Sequence, residues 1–250
     1  MADDGARVVG APAAALEIVE ETASTNALLR ARAASGDERP AWVMARRQIA
    51  GRGREGRPWV SLEGNLFLSG LLAVEAAPAH LGRLALAIGV AAHEAIAPWT
   101  GQEGLALKWP NDVRLGRRKI AGALIETWRS DHSPAMMVCV GLGVNIQSAP
   151  QGLDQACAAI AEASSAPPAP EILARLVIER FQIWADAAFS LDFAQLRSAW
   201  LARAEDLGAM IQARIGGEKQ AGRFVGLNEE GALLLATEAG MRILHAGEVV

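Results

Sequence analysis

The first half of the chain alternates between short hydrophobic runs and segments with helical spacing. Residues 16–20 alternate as in a β-strand, and Ser24, Thr25 and Asn26 then offer capping side chains to a helix predicted over residues 27–35. A second helix, with apolar residues at helical spacing, is predicted over residues 81–97. Further strands are predicted over residues 42–45, 64–72, 105–109, 119–128 and 136–144. This pattern predicts a β-sheet with helices around it.

The second half begins with a polar, proline-containing stretch and ends in short strands. Residues 147–170 are predicted to form a loop or a weak helix, followed by helices over residues 171–191 and 193–203. After Gly208, strands are predicted over residues 210–215, 220–227, 232–236 and 241–245, with Gly216-Gly217 as one of the tight turns. We therefore predict one domain over residues 1–203 and a small β-barrel appendage over residues 204–250.

Composition and charge narrow the class of protein. The chain has 250 residues, of which 51% are hydrophobic, and can bury a sizeable core. The net charge of −4 supplies no basic field for bulk DNA or RNA, and no helix-turn-helix fits into the roughly 15 residues before the first predicted strand. Acidic residues follow Met1 where a signal peptide carries positive charge, and no stretch reaches the ~18 apolar residues of a membrane span. We expect a cytoplasmic protein with neither DNA nor membrane as a partner.

Two cysteines, Cys139 and Cys157, are too few for a disulfide framework or a zinc site. Cys139 lies within an apolar run, where a buried thiol with a packing role is the usual case. The four histidines lie in unrelated contexts, so no catalytic histidine is predicted. The residues that would hold a metal ion stay unknown at this point.

The segment over residues 50–59 combines three glycines, three arginines and a tryptophan in ten positions. It contains G-x-G-x-x-G, but a dinucleotide-binding turn must open a helix, and Pro58 argues against a helix here. We predict a loop in which glycine lets the backbone approach an anionic ligand, while Arg52, Arg54 and Arg57 supply donors for carboxylate or phosphate. A solvated basic hairpin is the alternative.

Three further segments hold polar residues where a pure core would not. They are Ser24-Thr25-Asn26, Lys108-Trp109-Pro110-Asn111-Asp112 with Lys119-Ile120-Ala121-Gly122, and Gly141-Leu142-Gly143-Val144-Asn145. Together with the glycine–arginine loop that ends in Trp59, they make the chain, from about residue 16 to its end, resemble the biotin protein ligases. The combination of these motifs in this order is specific, whereas each motif alone is weak.

The resemblance implies a fold and an activity. The fold is α+β, a mixed β-sheet flanked by helices of the class II synthetase-like type, with a small C-terminal SH3-like barrel. The activity is the ATP-dependent conversion of biotin to biotinyl-5′-AMP, with Mg²⁺, and the transfer of biotin to a lysine of the biotin carboxyl carrier protein of acetyl-CoA carboxylase. The DNA-binding domain of repressor-type members is expected to be missing, and the family's exposed sheet can support a homodimer.

The resemblance also implies site residues. Those matched to catalysis are Arg54, Lys119 and Asp112. Those matched to the biotin pocket are Ser24, Thr25, Asn26, Gln48, Gly51, Arg52, Gly53, Arg54, Lys119, Gly122 and Gly141. Those matched to ATP are Arg52, Arg57, Trp59, Lys108, Asn111 and Asn145. Because joining a carboxylate to a phosphate brings two anions together, this chemistry needs cations more than it needs a base.

Several alternatives stay open at this point. Asp112 is a metal ligand, a proton acceptor for the carrier lysine or a residue of a simple Asn-Asp turn, and Ser24 and Thr25 are helix caps as well as candidate ligands. A lipoate or octanoate ligase shares the fold and the first step of the chemistry. A ligand-sensing regulator and a catalytically silent binding module are the rivals from other classes.

Overall fold

The computed structural model describes residues 6–10, 15–130, 132–190, 192–215, 218–245 and 247–249. The larger part of the fold contains eight strands and four α-helices within these residues. The strands are β1 (Arg7–Gly10), β2 (Leu16–Thr22), β3 (Ala41–Gln48), β4 (Leu66–Glu75), β5 (Leu105–Lys108), β6 (Asp112–Leu115), β7 (Arg118–Arg129) and β8 (Met136–Val144). The helices are α1 (Thr25–Ala34), α2 (Arg83–Thr100), α3 (Pro170–Phe189) and α4 (Phe193–Leu201).

These eight strands form one mixed sheet in the order β2-β3-β4-β8-β7-β6-β5, with β1 paired to β4. The β2–β3 pair is parallel, as expected for two strands joined by the crossover helix α1, and the remaining pairs are antiparallel. The long strands β4, β7 and β8 lie next to one another, so they place residues far apart in sequence side by side.

Alternation along the central strands gives the sheet two different faces. One face carries large apolar side chains, among them Trp42, Leu72 and Val140, and packs against α2 and α3 in the main core. The other face packs against α1 in a smaller cluster that includes Leu29, Leu71 and other buried side chains. Because α1 covers only part of this second face, the rest of it is available for a cavity.

The C-terminal strands form a second, antiparallel sheet in the order β12-β11-β10-β9-β13. They are β9 (Met210–Ile215), β10 (Glu218–Leu227), β11 (Leu233–Thr237), β12 (Gly240–Leu244) and β13 (Glu248–Val249). A small SH3-like unit was predicted here and is confirmed. Its core is continuous with that of the larger sheet, because Phe224 packs edge-on against Trp200 at a ring distance of 6.4 Å.

Some element boundaries also differ from the sequence-based prediction. Helix α1 begins at Thr25, two positions earlier than predicted, and α2 continues through Pro98 to Thr100. The predicted strand pair around the Asn111-Asp112 turn contains an additional strand, β6, and the two short strands β1 and β13 were not predicted. The predicted turn at Gly216-Gly217 lies outside the described residues.

The segment Pro78–Thr100, which includes α2, is long and apolar enough to cross a membrane, with a mean hydropathy of 1.2. It is not an uninterrupted apolar run, because Arg83, His93 and Glu94 lie within it. In addition, 72% of its most apolar window is buried inside the fold. The apolar composition of α2 is therefore explained by its place at the centre of the main core.

We predict opposite effects of alanine at two glycines of the main core. A Cβ at Gly70 would lie 2.5–2.8 Å from the buried Trp42 ring, whereas a Cβ at Gly89 in α2 would meet its nearest neighbours at 3.7 Å. Gly70→Ala should lower the free energy of unfolding by about 1–3 kcal/mol because the core is overpacked. Gly89→Ala should leave it unchanged or raise it by about 0.5–1 kcal/mol through helix propensity. Denaturant unfolding measures both, and equal effects would contradict the prediction.

Candidate active site

A cavity of about 370 Å³ opens on the less covered face of the large sheet. It is bounded by the start of α1, by the glycine–arginine loop and by strands β7 and β8. Of the predicted site residues, it is lined by Ser24, Thr25, Asn26, Gln48, Arg52, Gly53, Arg54, Arg57, Trp59, Lys108, Asn111, Asp112, Lys119, Gly122, Gly141 and Asn145. Gly51 is the exception: it is buried behind the wall, where its carbonyl accepts a hydrogen bond from the Trp59 backbone.

Two glycines of β8 bring neighbouring side chains directly onto the sheet. A Cβ at Gly141 would lie 2.4 Å from Oδ1 of Asn26, and a Cβ at Gly143 would lie 2.4 Å from the Trp59 ring. Any larger residue would displace these side chains, because Cβ contacts under 3.0 Å do not occur in real structures. Gly143 was not among the predicted site residues, although it lies in the motif that contains Gly141.

One end of the cavity is built from hydrogen-bonding side chains. The Thr25 backbone N–H donates to Oε1 of Gln48 at 2.8 Å, and Nε2 of Gln48 donates to the Ser61 hydroxyl at 3.3 Å. Ser24 occupies the N-cap position of α1, but its side chain makes no capping hydrogen bond. The capping alternative for Ser24 is therefore wrong, and Gln48 satisfies the first backbone donor of the helix instead.

Two residues at this polar end were missed by the sequence analysis. The Ser69 hydroxyl, fully buried on β4, lies 2.6 Å from Oδ1 of Asn26 and 2.7 Å from Oγ1 of Thr25. The Glu126 carboxylate on β7 accepts a hydrogen bond from Nδ2 of Asn26 at 2.7 Å and pairs with Arg52 at 3.3 Å. Strand alternation could have identified Glu126, because it lies on the same face of β7 as the predicted site residue Gly122.

The other end of the cavity is charged. Nζ of Lys119 lies 2.7 Å from Oδ1 of Asp112 and 5.5 Å from the centre of the Trp59 ring. Asp112 is the first residue of β6, and its other oxygen accepts a hydrogen bond from Gln155 at 3.4 Å. Its carboxylate thus orients a cation at the cavity, so the interpretation as a simple turn residue is wrong.

Arg54 connects the glycine–arginine loop to two other parts of the chain. Its guanidinium donates to the backbone carbonyl of Gly247 at 3.0 Å and to Oδ1 of Asn111 at 3.4 Å. The side-chain amide of Asn111 donates in turn to the backbone carbonyl of Ala123. The loop is therefore held at its centre by the residue before β6 and by the residue before β13.

Asn145 lies in the cavity wall with 2% of its surface exposed, and its side chain donates to the backbone carbonyl of Ala158 at 3.1 Å. Lys108 and Arg57 line the same region. No group of three or more His, Cys, Asp or Glu residues that could hold a metal ion occurs within the described ranges. Two aspartates line the cavity, Asp112 at the start of β6 and Asp154 in the segment that follows β8.

Comparison with known families agrees with this architecture. The profile of the Biotin/lipoate A/B protein ligase family matches residues 18–145, and that of the Biotin protein ligase C terminal domain matches residues 206–250. The chain belongs to the Biotin/lipoate A/B protein ligase family.

Individual relatives narrow the comparison. The chain is 36% identical to a biotin--[acetyl-CoA-carboxylase] ligase of Paracoccus denitrificans, over 93% of this chain and 98% of that protein. It is 33% identical to a protein of the same name from Mycobacterium tuberculosis, over 94% of this chain and 88% of that protein. Among solved structures, the biotin protein ligase from Aquifex aeolicus in complex with biotin and ATP matches with a TM-score of 0.78 and 27% identity, covering 94% and 97% of the two chains.

The two cysteines should react very differently with a thiol reagent. Burial raises the pKa of both thiols, but Cys139 is fully buried whereas Cys157 is only half-buried and lines the cavity. At about pH 8, iodoacetamide should modify Cys157 slowly and Cys139 only after unfolding. Biotin with ATP should slow the modification of Cys157. Peptide mass spectrometry measures both rates, and labelling of Cys139 in the folded protein would contradict the prediction.

Proposed function

We propose that this chain activates biotin with ATP to form biotinyl-5′-AMP and transfers the biotin to a lysine of the biotin carboxyl carrier protein of acetyl-CoA carboxylase. The observation that carries the proposal is a single cavity with hydrogen-bonding side chains and the Arg52–Glu126 pair at one end, and Lys119 and Arg54 towards the other. A bicyclic urea with a carboxylate tail suits the first end, and the anionic tail with a nucleotide phosphate suits the second.

In the first half-reaction, a biotin carboxylate oxygen bonds to the α-phosphorus of ATP while the bond from that phosphorus to pyrophosphate breaks. The carboxylate is already ionised at neutral pH, so no general base is required. Repulsion between two anions is the main barrier that the protein can lower, and Lys119, Arg52 and Arg54 supply the positive charge. The Asp112 carboxylate, 2.7 Å from Nζ of Lys119, keeps that ammonium at the cavity.

In the second half-reaction, the neutral amine of the carrier lysine attacks the acyl carbonyl of the adenylate. A C–N bond forms, the bond to AMP breaks, and the amine loses one proton. Two acceptors are at hand, the Asp112 carboxylate and the phosphate of the departing AMP. The products are AMP and the carrier protein, whose lysine is now joined to biotin through an amide bond.

Magnesium fits this site as a companion of ATP. Mg²⁺ is commonly held by one or two carboxylates together with substrate phosphates, and Asp112 and Asp154 both line the cavity. When bound, the ion neutralises charge on the pyrophosphate leaving group. The described residues supply carboxylates for this purpose but no closed protein cage.

The polar end of the cavity favours biotin over lipoate. Thr25, Asn26 and Ser69 are each at most 3% exposed, and their polar atoms form hydrogen bonds with one another and with Gln48. The Asn26 amide has a second N–H and each hydroxyl a further lone pair, so a urea group can join this network through hydrogen bonds that a dithiolane ring cannot make. Sites of this kind reject analogues that lack the polar group by large factors.

The activity can be tested directly by mass spectrometry of a biotin carboxyl carrier domain incubated with the protein, MgATP and either biotin or lipoate. We expect a biotin-sized mass gain and no gain with lipoate. Lys119→Ala should slow the gain by about 100-fold or more, because a cation at the reacting phosphate is lost. The matched control Lys219→Ala, on the exposed surface of β10, should not slow it. A gain with lipoate only would reassign the protein to the sister activity.

The glycine–arginine loop should change its protease sensitivity when the adenylate forms, because an acyl-adenylate must be kept from water. Trypsin cleavage after Arg52 and Arg54 should be slowed at least several-fold by biotin with ATP. Biotin with AMP, which cannot form the adenylate, is the control and should give little protection. Equal cleavage rates in all states would contradict a role for the loop in closing the site.

A further inference from the structure

Glu126 lies at the end of a row of cavity-facing residues on β7. Gly122, Leu124 and Glu126 alternate along the strand and share one face, and the first two line the cavity. The β7–β8 register places Leu124 opposite Gly141 and Glu126 opposite Cys139. The carboxylate is therefore directed toward the apolar cluster under α1, where the Glu126 side chain is only 19% exposed. A carboxylate in such a position needs partners.

Its partners come from two distant segments. One carboxylate oxygen accepts the hydrogen bond from Nδ2 of Asn26 at 2.7 Å, and both oxygens lie within 3.3–3.4 Å of Nη2 of Arg52. Asn26 belongs to the first turn of α1, and Arg52 belongs to the glycine–arginine loop. Arg52 offsets the charge of the carboxylate, and the hydrogen bond to Asn26 uses its acceptor capacity.

The Asn26 amide has a defined orientation because of Glu126. Its Oδ1 lies 2.6 Å from the Ser69 hydroxyl, which can donate or accept and so tolerates either orientation of the amide. An ionised carboxylate only accepts, so it requires the NH₂ group of Asn26 on its side. The flipped amide would place two oxygens against each other. Glu126 therefore decides which edge of Asn26 faces the polar end of the cavity.

Asn26 has little freedom to respond in any other way. It is 3% exposed, and the Gly141 backbone lies so close that a Cβ there would be 2.4–3.1 Å from its amide atoms. With its position fixed by packing, the orientation of its oxygen and nitrogen is the remaining variable. That orientation determines whether a urea entering this end meets a donor or an acceptor.

We propose that Glu126 is a positioning residue for the biotin pocket, acting through the Asn26 amide, with Arg52 neutralising its charge. This inference rests on the proposed biotin-activating function. It predicts that Glu126 acts mainly on the apparent affinity for biotin. Loss of the carboxylate leaves the Arg52 guanidinium charged, so the apparent affinity for ATP should change less.

The test compares Glu126→Ala with Glu126→Gln in ATP–pyrophosphate exchange at varied biotin and varied ATP. Glu126→Ala should raise KM for biotin by about 10- to 100-fold, the loss expected for a hydrogen bond to a charged group, while changing KM for ATP by less than about 3-fold. With its oxygen at the position of Oε2, glutamine can accept from both Nδ2 of Asn26 and Nη2 of Arg52, and Arg52 only donates, so the same orientation of the Asn26 amide stays favoured. Glu126→Gln should therefore return KM for biotin to within about 3-fold of the wild-type value.

A double-mutant cycle with Asn26→Ala tests the route of action. If Glu126 acts through Asn26, adding Glu126→Ala to Asn26→Ala should raise KM for biotin no further. The matched control is Glu75→Ala, which removes a carboxylate paired with Arg7 at 3.1 Å at the end of β4 in the same sheet and should not change either KM.

Several results would overturn the proposal. They are equal increases in both KM values, no change in Glu126→Ala, no rescue by glutamine, or additive effects in the cycle. Thermal unfolding of each variant shows whether a loss of activity is caused by misfolding. A purely structural defect would raise both KM values alike, so a change in KM for biotin alone that glutamine reverses supports the positioning role. Failure of the proposed function itself would look different: the wild-type protein would show no biotin-dependent exchange.

Discussion

The close approach of side chains to the backbone of β8 is the constraint on which the cavity depends. At Gly141 and Gly143, Asn26 and the Trp59 ring occupy the space that a Cβ would need. These contacts bring the first turn of α1 and the end of the glycine–arginine loop onto neighbouring positions of the same strand. A side chain at Gly141 would displace Asn26, and one at Gly143 would displace the Trp59 ring, so either would change the shape of the cavity.

The charged end depends on a different kind of compensation. The chain as a whole carries a net charge of −4, so attraction for an anionic ligand must be local. Each of the central cations is held by an acceptor: Lys119 by Asp112, Arg52 by Glu126 and Arg54 by the carbonyl of Gly247. These partners keep the cations close to the cavity and limit the reorganisation needed when an anion binds, which is the condition for effective electrostatic stabilisation.

Sequence reasoning found the residues whose types are unusual for their context. The arginines of the loop, Lys119 and the glycines at 122 and 141 stood out because a strand or a core has little use for them. Ser69 and Glu126 did not stand out, because a serine or a glutamate within a strand is ordinary. Their significance depends on register, which places Ser69 beside Gly141 and Glu126 beside Cys139, partners that are distant in the sequence.

The same reasoning explains why the long strands were predicted more accurately than the short ones. Long alternating strands such as β4 and β8 carry their own signal, whereas the four residues of β6 are extended because Lys119 and Gly122 pair beside them. The strands β1 and β13 have four and two residues and likewise depend on pairing with strands from elsewhere in the chain.

The contacts between the two sheets connect the C-terminal unit to the chemistry. Nε1 of Trp109, which lies in the turn between β5 and β6, donates to the carbonyl of Gly231 at 3.2 Å, and Arg54 donates to that of Gly247. The turn contains Asn111, which accepts a hydrogen bond from Arg54, and leads directly into Asp112 at the start of β6. A displacement of the C-terminal sheet would therefore alter both the loop and the segment that orients Lys119. The small sheet therefore supports, through Arg54 and Trp109, segments that line the charged end of the cavity.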